Sequence, residues 1–281
     1  MDAFPPFDPN GEPENRNGAQ ARGPGLRDIP LRMIWPNLIT VLAICAGLTG
    51  VRYAIEGEFQ RSVMLVLLAA FLDGIDGRVA RALKATSKFG MQMDSLADIV
   101  NFGVVPALVL YLFMLDLAPS FGWIAALIYA IACALRLARF NVMAENPGRA
   151  AWQGEYFVGV PAPAGALVVL LPVYLGQIGM EPGKGLAFAF ALYTVAVALL
   201  LVSRLPVWSG KALGLKVPRT VAVPVILAVA LAIMFLAAFT FEALVVVALG
   251  YLAALPVSAM SYRKREAREI AAANPLGDEK G

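Results

Sequence analysis

Long apolar runs, separated by short polar segments, follow one another along most of the chain. Each run is about 20 residues long, the length that an α-helix needs to cross a hydrocarbon core roughly 30 Å thick. The pattern therefore predicts an all-α, polytopic integral membrane protein with about eight transmembrane helices. A six-span alternative would require the last two runs to be something else, although both are long enough to cross. The predicted spans are residues 36–55, 61–84, 92–115, 121–142, 159–178, 185–203, 219–240 and 242–262.

Two polar ends flank the predicted membrane domain, which takes in residues 25–262. Residues 1–24 are rich in Pro, Gly, Asn and charge. Such a segment buries too little apolar surface to fold, so we expect a disordered cytoplasmic tail. Residues 263–281 begin with the basic cluster Arg263–Arg268, and we expect them to form a basic cytoplasmic tail.

The basic residues are distributed unevenly between the two sides of the predicted membrane domain. With the N-terminus inside, the outer loops hold only Arg52, Arg61 and Lys184 of the 23 Lys and Arg residues. Cytoplasmic loops carry the excess of Lys and Arg in membrane proteins. We therefore expect the polar stretch that joins the second and third spans to face the cytoplasm. A bacterial inner membrane is the expected location, because no segment resembles an organelle address.

Composition narrows the possible chemistry. Charged residues make up 15% of the chain, against about 25% in soluble domains. The chain has no histidine, which excludes histidine as a general base or metal ligand. Cys45 and Cys133 both fall inside predicted spans, where small apolar packing is the simplest role, and they provide no zinc site or disulfide framework. We expect membrane lipids, and not nucleic acid, as partners.

Four aspartates stand in and beside these apolar runs. Asp73 and Asp76 share one face of the second span, and Asp94 and Asp98 share one face of the third, which Asn101 continues. An isolated charge deep in a span costs about 2.5–3.5 kcal/mol, so four unpaired carboxylates would be prohibitive. Two divalent cations would supply four positive charges. Oxygen ligands alone favour Mg²⁺ or Mn²⁺, with Ca²⁺ as an alternative.

A pair of cations at the membrane surface suits a pyrophosphate, because the ions grip its oxygens. Gly77 and Gly90 would let a ligand lie against backbone, and Arg81 and Lys88 could hold phosphate oxygens. Two alternatives stay open at this point. The glycines could serve helix packing while the charged residues form intramembrane ion pairs. Alternatively, the carboxylates could line an ion or proton path. A path predicts acidic residues spaced across the membrane, whereas these cluster near one face.

The same stretch resembles the signature of the CDP-alcohol phosphatidyltransferase family, D-x2-D-G-x2-A-R-x8-G-x3-D-x3-D, with every spacing met. Members of that family transfer the phosphatidyl group of a CDP-linked lipid to an alcohol and release CMP. The resemblance implies that the four aspartates bind two divalent metals, that the other signature residues form the CDP pocket, and that the last aspartate is the general base. It also suggests a homodimer. The signature residues are Asp73, Asp76, Gly77, Ala80, Arg81, Gly90, Asp94 and Asp98.

Further stretches resemble the integral-membrane phosphatidylserine synthase branch of the family, which implies L-serine as the acceptor and CDP-diacylglycerol as the donor. A forked guanidinium fits the serine carboxylate, so Arg136 and Arg139 are acceptor candidates, with Asn101 and Asn141 as neutral partners. The resembling stretches are "PNLIT" (36–40), "SKFGMQMDSLADIVNFGVVPA" (87–107), "ALRLARFNV" (134–142), "YFVGVPAPAGA" (156–166) and "SRLPVWSGK" (203–211).

Other readings of the function stay open from sequence alone. The acceptor could be choline, glycerol 3-phosphate or inositol phosphate, or serine could be joined to another lipid backbone. A cation transporter and a catalytically silent lipid-binding scaffold are alternatives from other classes.

Overall fold

The computed structural model of the chain is almost entirely helical over the residues that it describes. The one sheet among those residues has two strands of three residues each. This confirms the all-α prediction. The chain divides between Val109 and Leu110 into two compact units. The described residues are 31–83, 85–145, 156–208, 234 and 238–273.

Some sequence predictions fall outside the described residues. The tail at residues 1–24 does so entirely, and the seventh predicted span, 219–240, does so for most of its length. The side chain of Lys88 is also outside them, although its backbone begins a helix. The predicted domain boundaries at residues 25–262 therefore stay a prediction.

The first unit is built from helices that follow one another through short connections. α1 packs along α2 and also contacts α3 and the π-helical turn that follows α3. The boundary between the units falls within α4. The elements are α1 (Leu31–Ile55), α2 (Phe59–Ala82), α3 (Lys88–Asp98), the π-helical turn Ile99–Val104 and α4 (Val105–Phe113).

A stripe of small residues explains why α1 lies so close to its neighbours. Ala43, Gly47, Gly50 and Ala54 are all buried and recur at intervals of three and four residues. Small residues at this spacing let helix backbones approach each other in membranes. A Cβ added at Gly50 would lie only 3.1 Å from the carbonyl oxygen of a residue in α2. The same face carries the buried Thr40 one turn earlier, so the stripe brings Thr40 against α2.

The third predicted span is one continuous helix made of α3, the π-helical turn and α4. Ser87 caps its start, since the side-chain oxygen accepts a hydrogen bond from the Gly90 N–H at 3.0 Å. The helix changes from α- to π-helical geometry directly after Asp98, and Asn101 lies within the π-helical turn. Such turns inside α-helices are frequent at functional sites.

The second unit contains a pair of long helices, α5 and α8, that pack against each other. α9 contacts α6, α7 and β2. The elements are a 3₁₀ turn (Leu115–Leu117), α5 (Pro119–Glu145), β1 (Tyr156–Val158), α6 (Ala162–Val169), α7 (Leu171–Gln177), α8 (Lys184–Val202), β2 (Pro206–Trp208) and α9 (Thr240–Ala273).

The two strands join stretches that are far apart in sequence. β1 and β2 pair antiparallel, with Phe157 opposite Val207. Gly159 follows β1 with a φ of +77°, and a Cβ there would collide with carbonyl oxygens at the end of α8. A side chain at this position would therefore be strained in conformation and crowded as well. These strands were not predicted from the sequence.

Five helices among the described residues are long and apolar enough to span a membrane, so the polytopic prediction is confirmed. α2 is also long, but it carries more charged residues, its aspartates and arginines, than any of the five helical segments counted as candidate spans. The total of eight spans stays a prediction. The five are Ile34–Ile55, Phe89–Phe113, Pro119–Met143, Lys184–Val202 and Thr240–Arg265.

The fifth predicted span is divided into α6 and α7. The helix breaks at Leu170, two residues before Pro172, which occupies the first turn of α7. Proline has no N–H to donate to the preceding turn, so the interruption appears on the N-terminal side of the ring. At the other end of the unit, α9 continues to Ala273, so the predicted basic tail begins as a helix.

We predict that Gly122→Ala destabilises the protein, because the new Cβ would overlap the backbone carbonyl of Leu115. Overpacking of this kind costs about 1–3 kcal/mol, which thermal unfolding in detergent would register as a lower Tm. Gly250→Ala is the matched control, since a Cβ there meets nothing within 4 Å. Equal melting temperatures for the two variants would contradict the close packing of the 3₁₀ turn on α5.

Candidate active site

Three of the four signature aspartates meet at one point in the first unit. Asp73 and Asp76 come from the C-terminal part of α2, and Asp94 comes from α3. One carboxylate oxygen from each lies within 4.8 Å of those from the other two. The two helices thus turn their acidic faces toward each other, as the spacing of these residues predicts.

The fourth aspartate adjoins this group. Asp98 ends α3, and its carboxyl group is within hydrogen-bonding reach of the Asp73 carboxyl group. It stands one helical turn beyond Asp94 on the same face, immediately before the π-helical turn. Asp73 therefore belongs to the group of three and also adjoins Asp98, so all four carboxyl groups form one acidic cluster.

The chemistry of this cluster fits a bound cation. Two carboxylates 4.8 Å apart repel each other by about 3 kcal/mol at an effective dielectric constant of about 20. Among the side chains that the structure describes, no arginine or lysine forms an ion pair with Asp73, Asp76 or Asp94. Asp73 Oδ1 is buried without a hydrogen-bond donor. An oxygen-liganded divalent ion would satisfy these groups.

Asp76 is held in place by two hydrogen bonds. Its side chain is buried and accepts two hydrogen bonds, from the Thr40 hydroxyl to Oδ2 at 2.6 Å and from the Gly77 N–H to Oδ1. Hydrogen bonds to both oxygens fix the plane of the carboxylate. The lone pairs that remain on both oxygens are available to a cation.

A cavity of about 220 Å³ opens beside Asp76 and Asp94. Its walls come from α1, α2, α3 and the α2–α3 connection, all in the first unit. Of the residues proposed for the CDP-linked lipid, every one whose side chain is described lines this cavity. The lining residues are Pro36, Asn37, Thr40, Asp76, Gly77, Ala80, Arg81, Ala85, Thr86, Ser87, Gly90, Met91 and Asp94.

The two signature glycines serve different needs. A Cβ added at Gly77 would meet nothing within 4 Å, so the space beside this backbone is open to a ligand. A Cβ at Gly90 would lie 3.1 Å from Ser87 Oγ and 3.2 Å from Asn37 Oδ1. Gly90 therefore also lets α1 approach the start of α3, a packing role that the sequence did not reveal.

One side of the cavity is formed by α1, which was not predicted from the sequence to be part of the site. Pro36, Asn37 and Thr40 line the cavity, and Thr40 bonds directly to a signature aspartate. The only signal was the stretch "PNLIT", which supported the resemblance without any assigned role. Thr40 and Asp76 are on different helices, so their contact could not be predicted from local sequence spacing.

Asn101 is the acceptor candidate in the first unit. It is 1% exposed, and neither its Nδ2 nor its Oδ1 has a hydrogen-bond partner. A Cβ added at Gly47 would collide with its Oδ1, so α1 covers this side chain closely. Leaving such a group unpaired costs about 1–3 kcal/mol, which favours a bound partner.

The remaining acceptor candidates lie on α5 in the second unit. Arg136 is buried, and its guanidinium lies 5.2 Å from the centre of the Phe140 ring. Arg139 donates from Nη1 to the Val202 carbonyl oxygen at 2.7 Å, which satisfies the C-terminal end of α8. Asn141 is half-buried near the end of α5. Arg139 therefore has a structural contact that the sequence analysis did not foresee.

Comparison with known proteins identifies the family. The model of the CDP-alcohol phosphatidyltransferase family matches residues 33–203. The chain belongs to this family. The matched segment contains all eight signature residues and runs from α1 to the end of α8, so it includes the α1 wall of the cavity.

Three relatives extend the comparison, and serine is part of each name. The CDP-diacylglycerol–serine O-phosphatidyltransferase of Mycobacterium tuberculosis is 39% identical over 243 residues, or 85% of this chain and 82% of the relative. The enzyme of the same name from Helicobacter pylori is 35% identical over 172 residues, 61% and 70% of the two chains. The archaetidylserine synthase of Methanothermobacter thermautotrophicus is 34% identical over 173 residues, 60% and 66% of the two chains.

Proposed function

We propose that the chain transfers the phosphatidyl group of CDP-diacylglycerol to the hydroxyl of L-serine, giving phosphatidylserine and CMP. One observation carries the proposal above all: three signature carboxylates converge beside a cavity lined by the signature residues Gly77, Ala80, Arg81 and Gly90. Membership of the family supports transfer from a CDP-linked lipid. The names of the relatives support serine as the acceptor.

In this proposal, Asp73, Asp76, Asp94 and Asp98 hold two divalent cations, Mg²⁺ or Mn²⁺. Bound between carboxylates, such ions grip the oxygens of a pyrophosphate and offset the charge that develops during phosphoryl transfer. Carboxylates are the ligands that these hard ions prefer. The buried Asp73 Oδ1, which lacks a donor, supports this assignment.

The cavity beside Asp76 and Asp94 would receive the CDP part of the lipid. Gly77 and Ala80 leave room along α2, while the guanidinium of Arg81 offers a planar fork for phosphate oxygens. Gly90 contributes backbone at the start of α3, and we assign Lys88 a supporting contact to phosphate from its position in sequence. The lipid would enter sideways from the bilayer, with its cytidine toward the cytoplasm.

Asp98 is the proposed general base. A base must lie within hydrogen-bonding reach of the hydroxyl proton that it removes, and Asp98 stands at the edge of the acidic cluster, beside Asp73. Asp98 would accept the proton as the serine oxygen bonds to the phosphorus of the phosphatidyl group. The bond from that phosphorus to the CMP oxygen breaks, and CMP leaves with the bonding electrons. Direct transfer without a covalent enzyme intermediate is the route that the family resemblance favours.

We assign acceptor binding to Asn101, while Arg136, Arg139 and Asn141 in the second unit are proposed as acceptor residues from the sequence alone. The unpaired, buried amide of Asn101 is the strongest support, because it offers a donor and an acceptor in one place. Arg136 would pair with the serine carboxylate through its forked guanidinium. Arg139 and Asn141 would assist, with Arg139 also bonded to α8.

The protein is an integral membrane protein, since five of its described helices suit a bilayer. We further propose a bacterial inner membrane, with the acidic cluster facing the cytoplasm, where serine is available. The positive-inside distribution of Lys and Arg supports this orientation. A homodimer is proposed from the family resemblance alone.

We predict that the purified protein releases CMP from CDP-diacylglycerol when serine and Mn²⁺ or Mg²⁺ are present, and that chelation abolishes the release. The measurement follows CMP with a panel of acceptors: serine, choline, glycerol 3-phosphate and inositol phosphate. Release with another alcohol but not with serine would contradict the proposed acceptor.

Three related measurements distinguish other functions. CDP-archaeol in place of CDP-diacylglycerol tests another lipid backbone. We include it because one of the relatives is an archaetidylserine synthase. Metal flux into liposomes without a CDP-linked lipid would indicate a cation transporter. Binding of the CDP-linked lipid without turnover of any acceptor would indicate a lipid-binding scaffold.

We predict that Asn101→Leu raises the serine concentration needed for half-maximal rate by about tenfold or more, with little effect on the CDP-lipid requirement. Leucine keeps the volume of the side chain but removes the polar groups, so the Tm should not fall. Ser62→Ala is the matched control, because Ser62 Oγ is also buried and unpartnered. Ser62 lies in the first turn of α2, at the end of that helix away from its aspartates. An unchanged serine requirement in Asn101→Leu would remove Asn101 from the acceptor site.

A further inference from the structure

The hydroxyl of Thr40 makes an unusual contact for a threonine within a membrane helix. Thr40 is 4% exposed on α1 and donates to Asp76 Oδ2 on α2 at 2.6 Å, where Asp76 is itself 3% exposed. A bond of this length between a hydroxyl and a carboxylate is charge-assisted and strong. It joins two helices at the acidic cluster.

The direction of this bond follows from the two acceptors within reach. The Thr40 hydroxyl also lies 3.2 Å from the carbonyl oxygen of Pro36, one turn earlier on α1. A hydroxyl carries one hydrogen, so it can donate fully to only one of them. The shorter distance and the charge of the carboxylate both favour Asp76.

A second threonine on the same helix shows the usual alternative. Thr49 donates to the Cys45 carbonyl oxygen at 2.6 Å, four residues earlier on its own helix. This local bond is what a threonine inside a helix ordinarily makes. Thr40 instead donates to a side chain on α2, because the small-residue stripe of α1 brings it against that helix.

Together with the Gly77 N–H, Thr40 leaves Asp76 little freedom to rotate. One donor addresses each carboxylate oxygen, whereas Asp73 Oδ1 has none. A carboxylate held by two donors presents its remaining lone pairs in a fixed direction. Hydrogen-bond partners of metal ligands orient them in this way, and their loss typically weakens metal binding 10- to 100-fold.

We propose that Thr40 is a positioning residue that orients the Asp76 carboxylate for a divalent cation. The inference rests on the metal site of the proposed function and deepens it, because it makes α1 part of that site. It requires no contact between Thr40 and the substrate. Its effect on turnover would arise through cation binding alone.

Mn²⁺ binding to the purified full-length protein, measured by electron paramagnetic resonance without any lipid substrate, tests this role. Thr40→Val keeps the shape of the side chain and removes the hydroxyl, so Mn²⁺ affinity should fall about tenfold or more. Thr40→Ser should bind Mn²⁺ within about threefold of the wild type, because it restores the donor. Thr49→Val is the matched control and should leave the affinity unchanged.

A second pair of variants covers the case in which Thr40→Val does not fold. Thr40→Ala and Thr40→Ser differ by one hydroxyl, and the same difference in Mn²⁺ affinity should separate them while their melting temperatures stay close. Wild-type affinity in Thr40→Val, or equal affinity in the Ala and Ser variants, would overturn the positioning role. Asp94→Asn serves as the reference for a lost ligand. Should the wild type and Asp94→Asn both fail to bind Mn²⁺, the metal site itself would be wrong, and the role of Thr40 with it.

Discussion

Mutual repulsion among closely spaced carboxylates is the constraint on which the site depends. Asp73, Asp76 and Asp94 bring oxygens within 4.8 Å of one another, and Asp98 adjoins Asp73. Crowded carboxylates stay ionised only when positive charge compensates them. Because no described arginine or lysine is paired with the three, the arrangement favours divalent cations. A site charged in this way would attract a pyrophosphate, and a cavity lies directly beside Asp76 and Asp94.

The rest of the first unit is organised to hold this repulsive cluster together. The small-residue stripe of α1 allows close packing on α2, and that packing supplies the Thr40 hydroxyl to Asp76. Ser87 fixes the start of α3, and the absence of a side chain at Gly90 lets α1 come close there. The carboxylates are thus held by a frame of helix contacts that does not itself neutralise them. Cation binding would complete the site.

Sequence predicted the parts of this frame that depend on local spacing. Aspartates three and four residues apart share a helix face, so the convergence of Asp73, Asp76 and Asp94 could be anticipated. The bond from Thr40 could not, because it depends on how two helices pack. The pairing of β1 with β2 likewise joins stretches that are far apart in sequence, and the π-helical turn around Asn101 has no periodic signal in the sequence. Hydropathy predicted the five apolar helices that are long enough to span a membrane, but it could not assign Arg139 to the end of α8.

Anomalous diffraction from crystals soaked in Mn²⁺ would show directly whether the four carboxylates hold two cations. We expect two anomalous peaks within coordination distance of the carboxylate oxygens of Asp73, Asp76, Asp94 and Asp98, with the Thr40 hydroxyl still bonded to Asp76. A map that places these side chains apart, or that carries no anomalous peak among them at saturating Mn²⁺, would contradict it.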